Sequence, residues 1–142
     1  MKNLKTLEKT LGVKFKNKDL LAQALVHRSY LNENPNFKLG SNERLEFLGD
    51  AVLEFVSSLL LYKELPDHSE GNLTNIRSWL VRTSALAESA EELKLGAVLL
   101  LSKGEEDLGG KKNHSLLADL LLEVKICGNL FMIITVKNRT PG

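Results

Sequence analysis

The chain has 142 residues, 43% hydrophobic and 26% charged, which suffices for one domain with an apolar core and no disulfide or metal staples. It contains no run of about 18 uncharged apolar residues, so the sequence excludes a membrane-spanning helix, and its composition excludes intrinsic disorder. A net charge of +1 neither announces nor excludes a nucleic-acid partner, because phosphate binding depends on where cations cluster rather than on their sum.

Leu4, Leu7 and Leu11 recur at helical spacing before "GVKF" breaks the pattern, predicting a short first helix. The same stretch lacks the continuous apolar segment of a secretory signal, so a cytoplasmic protein is expected. Asn17 is a cap candidate for a second helix in which Leu20, Leu21, Ala24 and Leu25 share a face, running on through "VHRSY" to a loop marked by Pro35 and Gly40. Ser41 and Asn42 are the cap candidates of a long central helix that stays apolar through Leu61, with Leu45, Leu48, Val52, Val56 and Leu59 as its core face. After the loop "LPDHSEGN", two amphipathic stretches follow, Leu73, Ile76, Leu80 and then Leu86, Ala90, Leu93, ending at Gly96. A charged, Gly-rich turn region, "SKGEEDLGGKKN", separates these from a last clear helix capped by Ser115, with Leu116, Leu117, Leu120, Leu121 and Val124 on one arc. The tail "NLFMIITVKNRTPG" reads equally as helix or strand. Cys127, the single cysteine, is expected to be a buried structural thiol. Nearly every element is helical, which predicts a single all-α domain.

The central helix carries an acidic stripe. Glu43, Glu46, Asp50 and Glu54 stand three or four residues apart with no Lys or Arg on the same stripe, and each such like-charge pair costs about 0.2 to 0.5 kcal/mol. The helix dipole favours Glu43 and Glu46 near the N-terminus but not Asp50, two turns in and beside Gly49, whose missing side chain admits a close neighbour. Clustered carboxylates without a basic partner suit a hard divalent cation such as Mg²⁺. Asp119 and Glu123, one turn apart on the last clear helix, form a second pair that can face the first across a helix packing. His27, His68 and His114 lie in separate segments without a nucleophile motif and read as structural or surface residues.

"NERLEFLGDAVL" (Asn42 to Leu53) closely resembles the signature of the ribonuclease III family. "LLAQALVHRSY", "EGNLTNIRSWLV", "LLLSKGEEDLGGKKN" and "SLLAD" resemble further family segments in the family's order, so the resemblance covers roughly residues 1 to 119. It implies an all-α, ribonuclease III-like endonuclease domain that dimerises, cuts double-stranded RNA with Mg²⁺, for which Mn²⁺ can substitute, and leaves 5′-phosphate ends with short 3′ overhangs. By the same resemblance Glu46 and Asp50 match the first metal-ligand pair and Asp119 the Asp of the second. Glu43 and Glu70 match acidic positions near the cleavage site, and Phe47 matches a residue that packs into a pocket of the second subunit. Arg77, Arg82, Lys111 and Lys112 are the candidate RNA contacts.

The family motif has its second Glu three residues after the Asp, whereas Glu123 comes four residues after Asp119. The extra residue rotates the carboxylate by about 100° and raises it about 1.5 Å, so Glu123 is expected to be a poor substitute and the activity to be reduced. The expected organisation is an endonuclease domain over residues 1–124 and a segment, 125–142, that departs from the family pattern, without the double-stranded RNA-binding domain that many members carry. A catalytically impaired dimeric RNA-binding module of the same fold is the alternative. A purely structural helical domain would leave the acidic stripe unexplained.

Overall fold

Apolar spacing of three and four residues translates directly into helices. The computed structural model describes residues 4–128, and these form eight α-helices: α1 (Leu4–Leu11), α2 (Lys18–Ala24), α3 (Arg28–Glu33), α4 (Glu43–Glu64), α5 (Glu70–Leu80), α6 (Thr83–Glu92), α7 (Lys103–Asp107) and α8 (His114–Cys127). Short 3-10 turns at Leu95–Ala97 and Gly110–Lys112 complete the order. No described helix is long and apolar enough to cross a membrane. The tail from residue 129 onward, read from sequence as either helix or strand, lies outside the described residues. Position 124, where the family pattern was expected to stop, falls inside α8.

α8 is the centre of the packing. α2, α4 and α6 lie against it, and Leu117, Ala118, Leu120, Leu121, Leu122, Glu123 and Val124 are all buried. A helix enclosed on three sides needs apolar residues nearly all round, which is why its apolar arc is broader than the expected one. Ala87 and Ala90 of α6, fully buried, provide the small surface on which α8 rests. Gly49 does the same on α4. A Cβ there would stand 3.0 Å from Ile126 Cδ1 and 3.2 Å from Leu122 Cβ, tighter than ordinary contact, so glycine lets the two helices approach this closely without either neighbour giving way.

Several local expectations are corrected. The second helix does not run through "VHRSY". It stops at Ala24 because the backbone at Leu25 to His27 pairs instead with Leu100: Leu100 N donates to Leu25 O at 2.8 Å and His27 N to Leu100 O at 3.1 Å. A buried backbone must place its polar groups somewhere, and here a partner over seventy residues away replaces the next helical turn. Asn113, not Ser115, caps α8, its side chain accepting from Ser115 N at 2.9 Å and Leu116 N at 3.3 Å. α5 already begins at Glu70, with Ser69 as its cap, so part of the expected loop is helix. Cys127 is only half-buried, its thiol directed to Leu20 O.

The core face of α4 is also narrower than expected. Leu45 and Val56 are buried and Val52 is half-buried, but Leu48 and Leu59 are exposed. The helix carries apolar residues on two faces, and the chain covers one. The other presents Phe47 at 81%, Tyr62 at 74% and Phe55 at 65% exposure.

The loop after α6 is tied to the turn before α8 by a contact that allows no side chain. A Cβ on Gly96 would stand 2.2 Å from the Lys111 carbonyl oxygen, a backbone atom that cannot swing away. Gly96→Ala is expected to destabilise the protein by about 1 to 3 kcal/mol in urea denaturation, the usual range for a forced overpacking. A change below about 0.5 kcal/mol, the range of neutral surface substitutions, would mean that the two segments separate freely.

Candidate metal centre

The acids of α4 share a stripe, yet tertiary packing treats them differently. At one end, the Arg28 guanidinium lies 3.7 Å from Glu43 and the Ser41 hydroxyl donates to Glu43 at 2.9 Å. Further along, Arg77 of α5 reaches Glu54 at 3.2 Å and donates to the Ser58 hydroxyl at 2.7 Å. These pairs are partly exposed and individually worth no more than about 1 kcal/mol, but they offset repulsion at both ends. Glu46 and Asp50, between them, have no ion pair among the described residues.

α8 brings Asp119 to that uncompensated middle. Burial pushes the Asp119 carboxyl up to about 6, and the charges of Glu46 and then Asp50 push in the same direction. Three carboxylates from two helices therefore share one electrostatic field, which a cation would relieve.

Glu123 is more deeply placed. It is fully buried; Asn42 Nδ2 donates to its Oε2 at 2.8 Å, and its Oε1 has no hydrogen-bond partner. Burial pushes its pKa up to about 8; the Asn42 bond opposes this, while the charges of Asp119 and Glu46 add to it. The position three residues after Asp119 holds Leu122, the residue that meets Gly49 at the crossing. The single extra residue thus puts an apolar side chain against α4 and turns the carboxylate toward Asn42. Asn42 holds a cap position in the sequence, but its side chain bonds a carboxylate 81 residues away, for which the sequence carries no local signal.

The remaining candidates are dispersed. Glu70 opens α5, is exposed and accepts from the Thr74 hydroxyl at 3.0 Å. Arg77 is engaged by Glu54, and Lys111 pairs with Glu106. Arg82 stacks over Trp79 at 4.9 Å from the ring centroid, and Lys112 is exposed. They do not form one basic patch with the carboxylates. Phe47 sits on the exposed apolar face, one residue from Glu46. His27 caps α3 and shares a 2.8 Å contact with the Ser29 hydroxyl, and His114 lies 3.7 Å from Glu91, consistent with structural or surface roles.

Among the described residues, no three His, Cys, Asp or Glu side chains are gathered into a closed ligand set. The donor chemistry nonetheless fits a hard divalent cation. The donors are all carboxylate oxygens, the middle of the stripe lacks counter-charge, and a buried carboxylate oxygen stands without a partner.

A family model described as Ribonuclease-III-like matches residues 17–132. The chain is 47% identical over 137 residues to Ribonuclease 3 of Syntrophobacter fumaroxidans, covering 94% of this chain and 57% of that protein. It is 52% identical over 111 residues to Ribonuclease 3 of Dehalococcoides mccartyi, covering 78% and 47%. The chain thus spans about half the length of the curated relatives it matches. A crystal structure of the nuclease domain of ribonuclease III from Campylobacter jejuni superposes with a TM-score of 0.80 at 38% identity, over 94% of this chain and 89% of that one. A second structure of that domain, described as showing structural flexibility in a region involved in dimer formation, also gives 0.80, at 37% identity over 92% and 90%.

The raised carboxyls dictate a pH dependence. The folded protein keeps a proton on Glu123 up to about pH 8, whereas the unfolded chain releases it near the ordinary value of 4.5. Between those limits the folded state binds more protons, so stability falls as pH rises from about 4.5 to 8, and Asp119 adds a fall up to about 6. Thermal melting of the metal-free protein is expected to drop from pH 5 to pH 8. Glu123→Gln, with no proton to lose, should flatten that drop and melt higher than wild type at pH 8. Parallel curves for the two proteins would refute the burial of an ionisable Glu123.

Proposed function

The chain belongs to the ribonuclease III family, and from that membership we propose that it is an endoribonuclease that hydrolyses phosphodiester bonds of double-stranded RNA in the cytoplasm, using Mg²⁺ or Mn²⁺. The observation that carries this reading is the convergence of Glu46 and Asp50 with Asp119 across the α4–α8 crossing, without any counter-charge. Glu46, Asp50 and Asp119 would hold the cation, with Glu123 at the buried end of the group. Bound there, the metal would supply an activated water and neutralise charge on the leaving oxygen. The carboxylates' task is to bind and orient. Their mutual repulsion in the metal-free state raises the pull on a cation. Glu43 and Glu70 are proposed to lie near the scissile phosphate.

We further propose a homodimer through the exposed face of α4. Phe47, Leu48, Phe55, Leu59 and Tyr62 leave an apolar surface that a second copy, related by a two-fold axis, would cover with the same residues. The Campylobacter jejuni domain, with its region involved in dimer formation, supports this. For RNA, Lys112 is exposed and Arg82 is held over the Trp79 ring without an acidic partner among the described residues, whereas Arg77 and Lys111 must first leave Glu54 and Glu106. Few phosphate contacts make binding weak, with a salt slope that scales with their small number.

A second reading, the catalytically impaired RNA-binding module, is favoured by one observation: Leu122 occupies the family's Glu spacing beside Gly49. Deleting one of Leu120 to Leu122 restores that spacing. If the shortened protein folds normally and cleaves faster than the parent, the parent is impaired; if the parent is at least as fast, Glu123 serves from its own position.

The direct test is cleavage of a generic RNA duplex with millimolar Mg²⁺. Asp50→Asn and Glu46→Gln are expected to abolish cleavage while leaving the melting temperature unchanged or higher, because each removes a repelling charge. Full Mg²⁺-dependent activity in Asp50→Asn would overturn the site. Phe47→Ala is expected to shift the dimer toward monomer at tens of micromolar by light scattering, and an undisturbed dimer would remove Phe47 from the interface.

A further inference from the structure

Asn42 stands at the N-cap position of α4, where an Asn side chain ordinarily accepts a bond from the helix's own first-turn N–H groups. Here it does not. Its backbone is helical, φ −77° and ψ −9°, and its side chain makes no capping bond. It is buried, and its main chain is fully engaged: N donates to Val26 O at 2.9 Å, and its carbonyl accepts from Leu45 N at 2.8 Å and Glu46 N at 3.0 Å. The side-chain amide is left to donate to Glu123 Oε2.

We propose that Asn42 is a positioning residue of the metal centre: by gripping Glu123 Oε2 it holds that displaced carboxylate so that Oε1 remains for the cation. The inference rests on the metal reading of the site given above. Three features support it. Asn42 joins both helices of the centre, bonded through its carbonyl to the backbone of Glu46 and through its amide to the side chain of Glu123. It satisfies one oxygen and leaves the other bare, whereas a purely structural buried carboxylate is normally satisfied on both. Partners that orient a ligating carboxylate are a recurring feature of protein metal sites, and their loss typically lowers metal affinity by about 10- to 100-fold.

The test is Mn²⁺ binding to the full chain without RNA, measured by calorimetry for wild type, Asn42→Ala, Glu123→Gln and the double variant. Asn42→Ala is expected to weaken binding by about 10- to 100-fold, and the double variant to bind no more weakly than Glu123→Gln alone, because Asn42 acts only through Glu123. Wild-type affinity in Asn42→Ala, or independent losses that multiply in the double variant, would overturn the proposal. Should Asn42→Ala fail to fold, Asn42→Asp combined with Glu123→Gln inverts the bond and keeps the two helices clamped. Affinity as low as that of Glu123→Gln supports the proposal, and recovery to the wild-type value overturns it, since a clamp would then suffice. Asp50→Asn separates the two levels. If it binds Mn²⁺ as wild type does, the metal reading itself fails; if it loses binding while Asn42→Ala does not, only the role of Asn42 fails.

Discussion

The crossing of α4 and α8 at Gly49 is the constraint on which the rest of the molecule depends. With Leu122 Cβ and Ile126 Cδ1 close to the place a side chain would occupy, the two helices pack at short range in the register that Gly49 admits. That register sets Asp119 opposite Glu46 and Asp50. It also buries Glu123, because the helix that crosses α4 so closely is enclosed on its other sides by α2 and α6. Asp119 is half-buried at the edge of this packing, whereas Glu123 could not reach solvent without disturbing Leu120, Leu121 and Val124, all buried in the core.

Charge is handled by division. Arg28 and Arg77 neutralise the ends of the acidic stripe, and the middle is left unpaired. Repulsion along a helix costs only tenths of a kcal/mol per pair, so the fold tolerates it easily. A buried carboxylate is a larger expense, and the fold meets it by letting Glu123 keep its proton well above the ordinary carboxylate range. The electrostatic penalty is thus concentrated where a cation can remove it.

Much of this was legible in the sequence. The spacing of Leu4, Leu7 and Leu11, of Leu73, Ile76 and Leu80, and of the leucines of α8 identified helices because local periodicity decides them. The opposition of Glu46 and Asp50 to Asp119 was readable as two carboxylate pairs on two helices. What escaped was decided by distant partners. The end of α2 depends on Leu100, the side chain of Asn42 on Glu123, and the covered face of α4 on which of its two apolar faces meets its own chain. Asn113 displaced Ser115 as the cap for a local reason: its side chain reaches two N–H groups where the expected serine lies already inside the first turn.

α5 has none of its eleven residues buried and lies against α4. Such a helix belongs to the least protected part of a fold, able to detach without disturbing the core around α8. Its detachment would carry Arg77 away from Glu54 and extend the uncompensated stripe by a further turn. Local opening of this peripheral helix would then couple to the acidic stripe: loss of Arg77 would leave Glu54 unpaired one turn from Asp50, and a cation drawn to that stripe would in turn favour the opened state.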